Sequence, residues 1–250
     1  MKKILLFLVL VFIISVAKAE RLEVYGFDQE LIKLKGIYFI KNLEVFELDG
    51  NSFGKDYKYK TDKDATFVDL AYQLKVSYYE LKEANPDVNP FKVPKNIYIK
   101  IPLKKQLPEN YQLNTVYVSL QDHRLYLPVE IDGKRYVITF PVGLGDEEFP
   151  TPKGEFSITE KKVNPDWVVP PSARRNNPNL PPVVPFGSPE NGLGTRALRL
   201  NNSSYMIHGT SKKSEKGVGM NISYGCVILR NEDIERLYQL VDLNTKVVIY

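Results

Sequence analysis

One cysteine, two histidines and one tryptophan stand among 250 residues. A lone thiol excludes any disulfide within the chain, and Cys226 with two imidazoles cannot build an all-protein Cys/His zinc site. No metal or organic cofactor is implied. Charge of one sign is scarce as well. Lys plus Arg number 34 against 30 Asp plus Glu, a net +4. With Lys2, Lys3 and Lys18 in a segment expected to be cleaved, the excess falls to one. Nucleic-acid binding draws on concentrated basic charge and is excluded on that ground. The one long apolar run ends at residue 16, so the chain is not a polytopic membrane protein. What remains is an ordinary globular composition, 43% hydrophobic and 26% charged, long enough for one or two domains with a real core.

Met1-Lys2-Lys3 is a short basic start. Residues 4–16 follow as an apolar run broken by Ser15, and Ala17-Lys18-Ala19 offers small residues where a signal peptidase reads. Residues 1–19 are therefore expected to be a secretory signal peptide, with Glu20 the first mature residue. An uncleaved anchor is the other reading, although the run is short for a bilayer span. No Cys follows it, which excludes a diacyl lipoprotein. The expectation is an exported chain in the periplasm or cell envelope with no stable membrane anchor. In that oxidising setting Cys226 is either buried and inert or kept for its chemistry.

Residues 20–56 alternate apolar and polar positions at Leu22-Glu23-Val24-Tyr25, Ile37-Tyr38-Phe39-Ile40 and Leu43-Glu44-Val45-Phe46-Glu47-Leu48, which predicts a strand-rich segment. Residues 57–103 form a second unit. A strand at 57–60 precedes a helix with apolar residues at 67, 70, 71 and 74 behind Thr66 as N-cap. A short helix at 77–84 and a strand at 97–102 complete a β-α-α-β order. Residues 104–113 are polar and read as a linker. From 114 to 250 the pattern is mainly β, with turns at Gln121-Asp122-His123 and Asp132-Gly133, and it argues for a sandwich or barrel. His123 reads as a surface residue of its turn. Residues 164–194 hold eight of the 17 prolines and read as a long loop. Trp167 inside it is either a clamp on ligand or an anchor for the loop. Asn231 is expected to cap a helix with its apolar stripe at Ile234, Leu237, Tyr238 and Val241, before a strand at 247–249.

The chemistry concentrates in two segments, Tyr205-Met206-Ile207-His208-Gly209-Thr210-Ser211 and Asn221-Ile222-Ser223-Tyr224-Gly225-Cys226-Val227. The first reads as a strand delivering His208 at its end, with Gly209 allowing a turn. Gly225 lets the main chain come close to a ligand. A thiol becomes a thiolate near neutral pH beside a base, and His208 is the candidate. Such a pair should alkylate at lower pH than a free thiol. Two N–H groups around Gly225 and Cys226 could form an oxyanion hole. The competing reading is a small buried hydrophobe.

The 57–103 unit, with Leu81-Lys82-Glu83-Ala84-Asn85-Pro86 and Val93-Pro94-Lys95-Asn96-Ile97-Tyr98-Ile99-Lys100-Ile101-Pro102, resembles a LysM module. That family binds the N-acetylglucosamine-containing glycans of peptidoglycan and chitin. Most of residues 115–250 resembles the L,D-transpeptidase catalytic domain of bacterial cell-wall enzymes. The match runs through Thr151-Pro152-Lys153-Gly154-Glu155-Phe156, Asn164-Pro165-Asp166-Trp167, Ala197-Leu198-Arg199-Leu200, the His208-Gly209-Thr210 box and Ser223-Tyr224-Gly225-Cys226-Val227. The resemblance implies Cys226 as nucleophile and His208 as base, with a main-chain carbonyl near Gly209 orienting the imidazole. It implies acyl transfer from a peptidoglycan tetrapeptide stem, with D-Ala released and a thioester formed. The acceptor is a second stem, the Lys of an envelope protein, or water. The implied support groups are Gly225, Tyr224, Ser223 and Gly209, and the implied substrate contacts are Arg199, Trp167 and Thr210. Two positions depart from the family box Ser-His-Gly-Cys-Val/Ile-Arg. Tyr224 replaces the second His, and Ile228 replaces the Arg. A wall-binding protein that has lost turnover therefore stands as the alternative.

Overall fold

A computed structural model describes residues 30–201 and 205–250. The expected signal peptide and the expected strand at Leu22–Tyr25 lie outside the described residues. No helix among those described is long and apolar enough to cross a membrane. Among the described residues the architecture is mainly β, 38% strand against 15% helix.

In chain order the described residues begin with β1 (Leu31–Leu34), β2 (Ile37–Ile40), β3 (Val45–Asp49) and β4 (Ser52–Phe53). The β-α-α-β unit follows as β5 (Tyr57–Lys60), α1 (Phe67–Leu74), α2 (Tyr78–Ala84) and β6 (Tyr98–Ile101), with β5 and β6 paired antiparallel. Local chemistry sets its helices. Thr66 Oγ1 accepts the Asp69 N–H at the start of α1. Ser77 and Glu80 form a reciprocal capping box at α2. Asn85 bonds Leu81 behind it and both main-chain groups of Lys100, tying α2 to β6.

Then come β7 (Lys105–Gln106), β8 (Val116–Ser119), β9 (Arg124–Ile131), β10 (Lys134–Pro141), β11 (Leu144–Gly145), β12 (Gly154–Val163), β13 (Trp167–Val168), α3 (Pro171–Asn176), β14 (Val183–Val184), β15 (Arg196–Leu200), β16 (Met206–His208), β17 (Asn221–Ser223), β18 (Val227–Ile228), α4 (Asn231–Leu240) and β19 (Lys246–Ile249). Among the described residues the large sheet has eleven strands, ordered β18-β16-β15-β12-β19-β8-β9-β10-β3-β4-β7.

The middle strands are buried on both faces. Val116, Val118, Leu125, Leu127 and Ile138 meet Ile234 and Leu237 of α4 in one core. Tyr117, Tyr126 and Val137, pointing the other way, meet Phe67, Leu70, Leu74 and Leu81 in a second. Each such side chain contributes about 1.5–3 kcal/mol on burial. The 57–103 unit thus shares its core with the large sheet.

Two buried ion clusters fasten the same seam. Lys75 Nζ meets Glu44 at 2.9 Å and Asp233 at 3.2 Å. Burial raises the Glu44 carboxyl, but Lys75 and Arg236 outweigh it and hold the group well below the ordinary range. Arg124 bonds Glu80, Thr139 and the Lys75 carbonyl. Lys105 pairs with Glu80 and Asp122. The stretch expected as a linker therefore contains β7 and a mostly buried lysine.

Three further expectations change. Residues 164–194 are not one irregular loop: β13 and β14 pair as a hairpin around α3 over a small core of Val169, Ala173 and Val184. Pro171 suits the first turn of α3, where a missing N–H costs nothing. The N-cap of α4 is Arg230, and Asn231 is its first helical residue, its side chain engaged elsewhere. His123 is buried at 8% exposure, stacked on Tyr79 with ring centroids 4.6 Å apart.

Candidate active site

β16 and β18 run parallel, with Ile207 opposite Val227 and His208 opposite Ile228. Ile207 and Val227 point into the first core. By strand alternation Met206, His208, Cys226 and Ile228 face the other way. β15 lies antiparallel on the far side of β16, with Arg199 opposite Met206 and Ala197 opposite His208. Glu160 of β12 stands opposite Arg199. One row across three strands therefore reads Glu160, Arg199, Met206, with Cys226 just ahead of β18 beside it, and His208 and Ile228 stand together in the next row.

His208 Nδ1 lies 2.6 Å from the Gly209 carbonyl. A carbonyl cannot donate, so Nδ1 carries the proton and Nε2 presents its lone pair. Burial lowers the His208 pKa to about 4, against the pull of the Gly209 carbonyl. Cys226 is half-buried as a residue. Burial raises its thiol above the ordinary value, and the Met206 N–H and the Arg199 charge only partly offset this. The resting pair is thus neutral thiol and neutral imidazole. The expected low-pH thiolate is not what this geometry favours, because both ionised forms are penalised by desolvation.

Ser223 closes the turn that carries the nucleophile. Its Oγ donates to the Cys226 carbonyl at 2.6 Å and accepts the Gly225 N–H at 3.1 Å. The Gly225 N–H is therefore occupied, which corrects the expectation of two donors for an oxyanion. Gly225 has φ +98°, and a Cβ there would lie 2.4 Å from the Tyr205 ring. Its close neighbour is that ring. Tyr224 is 38% exposed and packs edge-on against Phe149 at 5.3 Å. Phe149 is brought there by Asp146, whose carboxylate accepts the N–H groups of Glu148 and Phe149.

The remaining candidates lie further out. Arg199 is half-exposed and pairs with Glu160 at 3.1 Å. Thr210 is buried and lines an open cleft of about 530 Å³ with Phe186, Lys212 and Lys213. Trp167 packs on the small hairpin core. Ile228 is buried against Gly143. Arg230 turns away to lie over the Tyr72 ring of α1 at 4.2 Å.

The segment from His208 to Cys226 rests on the 57–103 unit. Lys216 pairs with Asp69 at 2.8 Å, and the Gly219 carbonyl accepts the Tyr78 N–H. His123 Nε2 meets Asn221 at the start of β17 at 2.8 Å. Tyr205 and Asn221 fall within the two segments that the sequence singles out, whereas Phe149 was missed, and the Asp146 turn before Phe149-Pro150 was its readable signal.

Residues 114–249 match the YkuD family, the L,D-transpeptidase catalytic domain. Two curated relatives from Escherichia coli (strain K12) are similar in sequence. "Probable L,D-transpeptidase YcfS" is 32% identical over 72% of this chain and 57% of its own length. "Probable L,D-transpeptidase YbiS" is 34% identical over 70% of this chain and 56% of its own length. The chain thus spans little more than half the length of the curated relatives it matches. Among solved structures, L,D-transpeptidase 3 from Mycobacterium tuberculosis aligns at 21% identity and a TM-score of 0.42, over 54% of this chain and 60% of that one.

Proposed function

This chain belongs to the L,D-transpeptidase catalytic-domain family, and from that premise we propose that it is an exported peptidoglycan L,D-transpeptidase using Cys226 and His208. The observation that carries this reading is the parallel pairing of β16 with β18, which sets His208 on one strand and Cys226 two positions back along the next, with His208 Nδ1 held by the Gly209 carbonyl. Nε2 takes the thiol proton as sulfur attacks the carbonyl on the L-centre of diaminopimelate in a tetrapeptide stem. The Cys226 N–H supports the oxyanion. Nε2 then protonates the departing D-Ala amine, leaving a thioester. An acceptor amine, deprotonated by the same Nε2, attacks the thioester and restores the thiol. Arg199 supplies positive charge for a stem carboxylate. The LysM-like unit holds glycan strands.

Intact-protein mass spectrometry with a disaccharide-tetrapeptide tests this, with Cys226→Ala as control. A thioacyl adduct that turns over to crosslinked dimer is expected. Tripeptide alone would mean water as acceptor, and transfer only to an envelope protein's Lys would mean a protein acceptor. The second reading, a peptidoglycan-binding protein without turnover, is favoured by the apolar Ile228 beside His208 and the occupied Gly225 N–H. Its mark is retention of folded protein on sacculi with no adduct at Cys226.

A further inference from the structure

We propose that Asn231 is a positioning residue for His208, fixing the imidazole tautomer through the peptide group between Gly209 and Thr210. The Asn231 Oδ1 accepts the Thr195 N–H at 3.0 Å and the Thr210 N–H at 3.3 Å, and its Nδ2 donates to the Thr210 carbonyl at 2.8 Å. One amide therefore joins the chain entering β15 to the chain leaving β16. Those are the two segments that flank the His208 end of the site.

The Thr210 N–H and the Gly209 carbonyl belong to the same planar trans peptide, so they point in opposite directions. Asn231 holds the N–H end. The carbonyl end is thereby aimed at His208 Nδ1, 2.6 Å away. If that peptide turned, the Nδ1–H bond would be lost and the proton could settle on Nε2, which removes the base. Serial hydrogen bonds of this kind also polarise one another.

The fit is built for an amide at this place. A Cβ on Gly194 would lie 2.2 Å from Asn231 Oδ1, and one on Gly209 would lie 2.3 Å from it. Both glycines leave open the space that Oδ1 fills. This role is separate from capping, because the N-cap of α4 is Arg230.

The inference rests on His208 being the base, and its test separates the two claims. The chain has two histidines, so ¹⁵N spectra of the imidazoles show two rings, assigned with His208→Gln. The parent should show the Nδ1–H tautomer at His208. Asn231→Ala should mix the tautomers and slow acylation about 10²-fold, the usual cost of a misplaced catalytic group, with the donor KM little changed. Asn231→Asp still accepts the Thr210 N–H and should keep the parent tautomer and most of the rate. Folded Asn231→Ala with the parent tautomer and rate would overturn the proposal. Should that variant not fold, Asn231→Asp decides: a lost tautomer in the folded protein overturns it, and a kept one supports it. A parent that holds the tautomer yet never acylates refutes the base reading alone.

Discussion

His208 is buried and its pKa falls to about 4, while the Cys226 thiol is raised. A reaction starting from this neutral pair needs only an unprotonated imidazole. The kcat/KM for acyl transfer should then be flat from roughly pH 5 to pH 8 and fall toward pH 4. An acid limb near pH 6.5 in D-Ala release would contradict it. Iodoacetamide should alkylate Cys226 more slowly than a free thiol at neutral pH. The same burial has a stability consequence. The folded His208 binds its proton more weakly than the unfolded one, so stability is lost as pH falls from 6.5 toward 4, by about 3 kcal/mol. Urea unfolding at pH 7 and pH 4.5 should show this slope in the parent and a smaller one in His208→Gln. Tyr224 packs on Phe149 at the surface, so Tyr224→His should leave activity equal or higher. A loss of more than about tenfold in steady-state rate would show that the ring has its own part in transition-state support.

The elements were legible where a local signal sets them. Thr66 and Ser77 cap their helices through bonds two or three residues away, and the apolar stripe of α4 lies within one helix. Cys226 and His208 stood out because their residue types are rare in this chain. Asn231 was seen only as a cap, since its partners Thr195 and Thr210 are 36 and 21 residues distant. The hairpin in 164–194 was hidden because two-residue strands have no period to read. The missing Cβ atoms of Gly194 and Gly209 make room for the Asn231 amide, a fit between distant segments that no local pattern declares. Gly209→Ala should cost about 1–3 kcal/mol by overpacking. Gly194→Ala should cost more, since φ is +65° there. Chemical denaturation checks both, and equal stability to the parent would mean that Asn231 can move aside.

For the molecule as a whole, the sequence suggested a string of units, and the structure is a shared sheet with shared cores. The reason is that Tyr117, Tyr126 and Val137 look toward α1 while their neighbours look toward α4, a division no single strand declares. Residues 114–250 expressed alone would expose that second face, and the fragment should aggregate or bind a hydrophobic dye. A soluble, cooperative fragment would argue against a single folding unit. Arg124→Ala would leave Glu80 to Lys105 and the Ser77 N–H while depriving the buried Thr139 hydroxyl and Lys75 carbonyl of their donor, and should cost about 1–3 kcal/mol, read from the shift in urea midpoint. The resting place of the segment between His208 and Cys226 carries this union into inheritance. Asp69 meets Lys216 and Tyr78 meets Gly219 across two parts of the chain that a gene could otherwise exchange as cassettes. A lineage that swapped or discarded residues 57–103 would have to rebuild the support of its own nucleophile, so the two parts are expected to descend together.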